Sequence, residues 1–260
     1  METSVGQHDG ESQIGVIILA AGASTRMGRP KQLLLHRGQT LLRRTVETAL
    51  ASVCRPVVVV LGAHVESVRN ELEQLPAYAA ENPEWNKGMS SSIRIGLETL
   101  IATNSEVDGA VIMLCDQPLV TAGVINELVE ARRETGKAIV ASAYGETRGV
   151  PALFSRQLFA EIASLKVNEG ARQVIASHPD DVATVDFPEG AIDVDTPQDY
   201  EFLRKGQRRR RLKEVSTSSP FPSRSIKSRH AMQQEGIVNL TQEETKSSDS
   251  ERRIQFRRLR

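Results

Sequence analysis

Three short runs of almost unbroken apolar, largely β-branched residues set the fold. They are IGVIILA at 14–20, PVVVVL at 56–61 and GAVIMLC at 109–115. Each is too short for a buried helix and has the composition of a strand covered on both faces. Between them, residues 40–53 and 90–102 place apolar side chains at helical spacing, with Thr40 as a cap for the first and the Ser90–Ser92 cluster at the start of the second. A short helix is expected around 64–73, a strand near 77–81, a helix over 121–135 and a strand over 137–143. Strands alternating with helices of this length predict parallel βαβ units. The expected fold is α/β: a three-layer, doubly wound, mostly parallel sheet, Rossmann-like, with ligands bound at the carboxyl ends of its strands.

After Tyr144 the pattern loosens. Arg148-Gly149-Val150-Pro151 reads as a turn before an apolar patch, Ala152–Phe154. Helices are expected near 156–163 and 169–177, short strands near 182–186 and 191–194, and a last helix over 197–204. The catalytic domain is therefore placed at 14–205. Before it lies a polar, acidic segment, 1–13, expected to be flexible and lacking the basic and apolar regions of a signal peptide.

From Gly206 the composition changes. Residues 206–260 hold 14 Lys/Arg against 6 Asp/Glu, with RRRR at 208–211, although the whole chain is electrically neutral. Such a segment buries too little apolar surface to offset chain entropy and is expected to be a disordered basic tail. It lacks interleaved aromatics and any nucleic-acid motif, which speaks against a nucleic-acid partner. No apolar stretch approaches the ~20 residues of a membrane span, so a cytoplasmic protein is expected. Cys54 and Cys115 lie beside or within apolar runs and read as buried small hydrophobes.

The first strand runs directly into Leu19-Ala20-Ala21-Gly22-Ala23-Ser24-Thr25-Arg26-Met27-Gly28-Arg29-Pro30-Lys31. Small residues let phosphates approach the backbone, whose consecutive N–H groups form an anion nest. Arg26 and Lys31 add charge, the first as a fork and the second as a point. A Walker loop is excluded, because five residues separate Gly22 from Gly28 and Lys31 lies three beyond it. The dinucleotide pattern G-x-G-x-x-G is absent too, which disfavours a nicotinamide-dependent oxidoreductase. The loop reads as a cradle for a nucleoside triphosphate.

Triphosphate chemistry needs a hard cation, usually Mg²⁺, held by one or two carboxylates together with phosphate oxygens and water. Asp116 follows the strand 109–115 at the carboxyl edge of the sheet, and Asp193 and Asp195 share one face of an extended segment. The competing role for Asp116 is a cap before Pro118, and for Asp195 a cap on the helix beginning near Pro197. His64, after Leu61-Gly62-Ala63, reads as a structural or capping histidine, and Ser90 either caps the helix or points toward a nucleobase.

The stretch LAAGASTRMGRPKQLL resembles the signature LAAGxSxRMGxxKxLL of nucleotidyltransferases similar to the molybdenum cofactor guanylyl- and cytidylyltransferases. The resemblance continues through Trp85–Ile93, Asp116-Gln117-Pro118, Gly149–Phe154 and Asp193–Tyr200, covering roughly 14–204. It implies nucleotidyl transfer, with Arg26, Lys31 and Asp116 catalytic and Asp116 binding metal together with Asp193 or Asp195. It also implies nucleotide contacts from Leu19, Ala20, Ala21, Gly22, Ser24, Gly28, Gly88 and Ser92, and acceptor contacts from Gly149, Pro151 and Arg172. Ala21 stands where the guanylyl enzymes tend to carry a second glycine, so CTP is the expected donor and molybdopterin the expected acceptor, with a molybdoenzyme as a further partner. Val167 and Asn168 replace the Gly-Asp that usually precede Gly170-Ala171-Arg172. That departure leaves two alternatives: GTP or another triphosphate with a different small phosphorylated acceptor, or a maturation partner that binds without turnover.

Overall fold

The computed structural model describes residues 12–167 and 169–206. The expectations for the basic tail, for most of the N-terminal segment and for Asn168 lie outside the described residues. In chain order the elements are β1 (Ile14–Ala20), β2 (Leu35–His36), β3 (Gln39–Thr40), α1 (Leu41–Leu50), β4 (Val57–Leu61), α2 (Val65–Val68) and β5 (Tyr78–Glu81). There follow α3 (Met89–Thr103), β6 (Gly109–Leu114), α4 (Ala122–Thr135), β7 (Ile139–Tyr144), β8 (Thr147–Ser155), α5 (Phe159–Ala163), α6 (Ala171–Ser177) and β9 (Val182–Asp186). A helix over 197–206, α7, closes the described chain.

Seven strands form one sheet in the order β5-β4-β1-β6-β8-β7-β9, and β2 pairs with β3 as a separate antiparallel ribbon. Ladder β1–β4 runs parallel from Val16↔Val57 to Ala20↔Leu61, and β1–β6 from Ile14↔Gly109 to Leu19↔Leu114. Strand β8 alone runs against its neighbours β6 and β7. Every residue of β1 and β4 is buried, as expected for central strands sandwiched between helices.

Alternation along β1 divides the core. Val16, Ile18 and Ala20 face a cluster built with Leu42, Val46 and Ala49 of α1 and Val124, Ile125 and Leu128 of α4. Ile17, Leu19 and Ala21 face Ile93, Leu97 and Leu100 of α3, within a cluster that extends to α5 and α6. The result is three layers, helix on sheet on helix. Thr40 caps α1 by accepting the Arg43 N–H at 3.2 Å, and Thr121 caps α4 by accepting that of Val124 at 3.3 Å. Gly136 ends α4 in the left-handed conformation that glycine tolerates, φ 66°.

The stretch read as a turn at 148–151 is instead the middle of the nine-residue β8. The register explains the disguise. Ala141 pairs with Ala152 while Ser142 pairs with Gly149, so Val150 and Pro151 sit in a bulge where no ladder N–H is required. The Ser142 hydroxyl donates to the Pro151 carbonyl at 2.6 Å and the two strands stay tied. The strand expected near 191–194 is absent; a 3-10 turn, Pro188–Ala191, and extended chain occupy that stretch. No described helix is long and apolar enough to cross a membrane.

Candidate active site

The chain leaves β1 in one direction to build β4 and β5, then returns to the other side of β1 with β6. Beyond the carboxyl ends of β1 and β6 the strand order reverses, and a crevice opens there by topology alone. A cleft of about 340 Å³ occupies this place. Leu19, Ala20, Ala21, Gly22, Lys31 and Gln32 line it from the first loop, Gly88, Met89 and Ser92 from the start of α3, and Asp116 from the end of β6. A larger cavity, about 530 Å³, lies at the opposite edge of the sheet among Gln13, Arg55, Tyr78 and Asn104. It presents neither a carboxylate nor an amide-rich loop, so the chemistry belongs to the carboxyl edge.

The loop after β1 is held at both ends. Met27 is buried with Leu34, Leu41, Val194 and Leu203, which anchors the loop tip to α7. The Met27 and Gly28 N–H groups donate to the Ser24 carbonyl. Gly28 is left-handed at φ 72°, and so is Ser24 at φ 56°, an uncommon state for a side-chain-bearing residue. Among the described residues, the amides of Gly22, Ala23, Ser24, Thr25 and Arg26 donate to no protein acceptor. Successive main-chain donors left open on a surface loop are the groups from which an anion-binding nest is built. The His64 ring contacts the Ala23 carbonyl at 3.0 Å and makes no side-chain cap on α2; its role is to brace the loop.

The charged groups converge from three distant segments. The Lys31 ammonium donates to Asp116 Oδ2 and, at 3.0 Å, to Asp195 Oδ1. Arg26 Nη2 reaches the other oxygen of Asp195 at 2.8 Å. Burial works against the charge on Lys31, but Asp116 beside it, helped by Cys115 and Asp195, outweighs that penalty and raises its pKa above the ordinary lysine range. Asp195 is free for these contacts because Thr196 and Asp199 cap α7: Asp199 accepts the Thr196 N–H at 2.8 Å, and Thr196 Oγ1 accepts the Asp199 N–H at 3.3 Å. Asp193 retains solvent access, yet partial desolvation, then the charges of Asp116 and Asp195, push its carboxyl upward.

Asp116 is 8% exposed, and its Oδ1 is buried with no hydrogen-bond partner. A buried, unpartnered carboxylate oxygen is costly and suits a cation. Among the described residues no three His, Cys, Asp or Glu side chains form a ready metal-ligand set.

Gly88, at φ 99°, is the N-cap of α3, and no serine side chain caps that helix. Ser90 is simply buried. Ser91 and Ser92 instead receive the two donors of Asn82, each at 2.9 Å. Of the residues expected to contact an acceptor, Gly149 and Pro151 are buried within β8. Arg172 is exposed and donates to the Tyr144 hydroxyl at 3.0 Å. Gly170 abuts Met89, whose sulfur lies 3.1 Å from where a Cβ would stand, so the start of α6 meets the cleft rim.

Four residues to which the sequence assigns no role organise the site: Gln32, Asn82, Gln117 and Tyr144. Gln117 donates to the carbonyls of Val150 and Gly190, both at 3.1 Å, joining the end of β6 to the second half. All four are buried, and three are amides. A buried amide was the available signal, but burial is legible only once the neighbouring turns are known.

Residues 16–182 match the family described as the MobA-like NTP transferase domain. The nicotine blue oxidoreductase of Paenarthrobacter nicotinovorans is 33% identical over 199 residues, spanning 72% of this chain and 95% of that protein. The purine catabolism protein PucB of Bacillus subtilis is 30% identical over 201 residues, spanning 73% and 95%. A crystal structure of Rv0371c from Mycobacterium tuberculosis in complex with manganese superposes with a TM-score of 0.62 at 28% identity, over 75% of this chain and 99% of that one.

Proposed function

Because the chain belongs to the MobA-like NTP transferase family and is a nucleotidyltransferase of that kind, we propose that it moves CMP from CTP onto the phosphate of molybdopterin, releasing pyrophosphate. The observation that carries this reading is the open run of amides at Gly22–Arg26 beside Lys31, Asp116 and Asp195. We take residues 14–205 as the catalytic domain.

The triphosphate lies along the loop between Leu19 and Lys31, with Ser24 and Gly28 shaping the turn and Gly88 and Ser92 beside base and ribose. The open amides, Arg26 and Lys31 neutralise charge on the phosphates. An acceptor phosphate oxygen attacks the α-phosphorus as the bond to the pyrophosphate oxygen breaks, and pyrophosphate carries away the electron pair. No covalent enzyme intermediate is required, since positioning and electrostatics carry such a transfer. Asp116, with Asp195 or Asp193, would hold a divalent cation, Mg²⁺ in our reading, which when bound supplies Lewis-acid stabilisation at the phosphates. Arg172 holds the acceptor at the cleft rim, and Gly149 and Pro151 shape the wall behind it.

The test is pyrophosphate release from CTP, GTP, ATP and UTP with Mg²⁺ and molybdopterin. Release with CTP and molybdopterin supports the assignment. Release with another triphosphate moves the nucleobase, and saturable binding without release leaves a maturation partner.

A further inference from the structure

Gln32 follows Lys31 and is 1% exposed. A primary amide buried this completely must spend its donors and acceptor inside the protein. Gln32 Nε2 donates to the Ala20 carbonyl at 2.7 Å and to the Gly22 carbonyl at 3.0 Å. Its Oε1 accepts the Ser24 hydroxyl at 3.3 Å. Ser24 Oγ in turn accepts the backbone N–H of Lys31 at 3.0 Å. The four bonds close a ring that begins where β1 ends, crosses the loop and returns to Lys31, whose ammonium meets Asp116 and Asp195.

We propose that Gln32 is a positioning residue for nucleotidyl transfer: it clamps the carbonyl side of the loop so that the amides of Gly22–Arg26 stay open toward a triphosphate and Lys31 stays in register with them. The inference rests on the nucleotidyltransferase reading of this cleft. Two observations support it. The Gln32 amide nitrogen engages main-chain carbonyls, those of Ala20 and Gly22, while the five N–H groups of Gly22–Arg26 have no protein acceptor among the described residues. Ser24, the other half of the clamp, is held left-handed at φ 56°, a conformation that persists in a side-chain-bearing residue when its surroundings over-determine it. Here the hydroxyl bonds to Gln32 and Lys31 do so. Gln32 itself touches no reacting atom and acts through the loop.

The experiment is calorimetric titration of CTP and of CMP, each with Mg²⁺, into the full chain and its Gln32→Met variant. Amide hydrogen exchange of both proteins is followed without ligand. Methionine keeps the length and apolar bulk and removes all three hydrogen bonds. The expected result is a tenfold or greater weakening for CTP, less than threefold for CMP, and faster exchange at Met27, Gly28 and Lys31, whose N–H groups donate to Ser24, with β1 and β4 unchanged. Equal weakening of CTP and CMP overturns the proposal, as does unchanged loop exchange or unchanged CTP affinity. If Gln32→Met does not fold, Ser24→Ala cuts the same ring at its other half. It must reproduce the CTP-selective loss, and failure to do so overturns the clamp. A wild-type chain that binds none of CTP, GTP, ATP or UTP sinks the nucleotide reading and the clamp with it, whereas a wild-type binder with an unaffected variant sinks the clamp alone.

Discussion

Lys31 donates its ammonium to the carboxylate of Asp116 across 85 residues of sequence, joining the loop after β1 to the end of β6. The contact places a positive charge between Asp116 and Asp195, where a metal-assisted phosphate chemistry needs one. In the proposed reaction Lys31 and a divalent cation would share Asp116, and Asp195 if that is the second ligand. A triphosphate arriving with its cation would give those anions a second partner and Lys31 a phosphate.

Removing the lysine separates these roles. Lys31→Ala is expected to lower kcat/KM at least 100-fold, on the order of the ~3–4 kcal/mol attached to losing a preorganised donor. The same variant leaves Asp116, with its unpartnered Oδ1, short of a counter-charge. Its nucleotide-free affinity for Mn²⁺ should then rise several-fold, measured by the electron paramagnetic resonance signal of the free ion. Near-normal turnover sinks the catalytic assignment, and unchanged Mn²⁺ affinity sinks the sharing of ligands.

Chelation tests the same geometry in the native chain. EDTA is expected to bring pyrophosphate release to background. It should leave the melting temperature of the nucleotide-free protein within about 2 °C, under roughly 1 kcal/mol for a domain of this size. The reason is that Lys31 and Arg26 already balance Asp116 and Asp195 when no metal is bound. A large fall in melting temperature on chelation would assign the metal a structural role.

The sequence carried the strongest signals where one element explains itself. The apolar runs of β1, β4 and β6, the helices between them and the small-residue loop were readable because burial on both faces leaves a continuous pattern. Asp116 was readable as a cleft carboxylate because it directly follows a strand. Strand β8 was hidden, since its glycine and proline sit in a bulge that only the pairing with β7 reveals. Asp195 and Ser90 were ambiguous for a related reason. Each lies at a helix start, and whether it caps depends on a neighbour: Thr196 with Asp199 in one case, Gly88 in the other. Gln32, Asn82 and Gln117 were illegible because a buried amide is defined by partners that lie elsewhere in the chain.

The two thiols give a pH-dependent expectation. Burial, opposed only weakly by neighbouring donors and charges, pushes Cys54 up to about 11; burial and then the Asp116 charge push Cys115 up to about 12. Both lie above the ~8.5 of an unfolded cysteine. Their contribution to stability is therefore fully present below pH ~8.5 and is lost as pH rises through the folded values. At pH 8 the native chain should resist iodoacetamide, while the urea-unfolded chain takes two labels, counted by intact mass. Rapid native labelling of Cys115, which borders the cleft, would show an accessible thiolate and reopen its chemistry.

Gly149 and Tyr144 make the acceptor side testable apart from the donor side. A Cβ on Gly149 would stand 2.0 Å from the Tyr144 hydroxyl and 3.0 Å from the ring carbon bearing it. Gly149→Ala is thus an overpacking change, expected to cost about 1–3 kcal/mol. It also displaces the hydroxyl that receives Arg172 at 3.0 Å. Tyr144→Phe removes that hydroxyl without adding bulk. It should raise the acceptor KM severalfold and leave the CTP KM unchanged, because only Arg172 loses a partner. In the double variant the worst contact is gone, so the two changes should be non-additive, the pair melting higher than the sum of the single losses predicts. Initial rates at varied acceptor and varied CTP, with melting curves for the four proteins, check both parts. A CTP KM that rises with the acceptor KM would place Arg172 on the donor, and strict additivity would mean that Gly149 and Tyr144 do not meet as described.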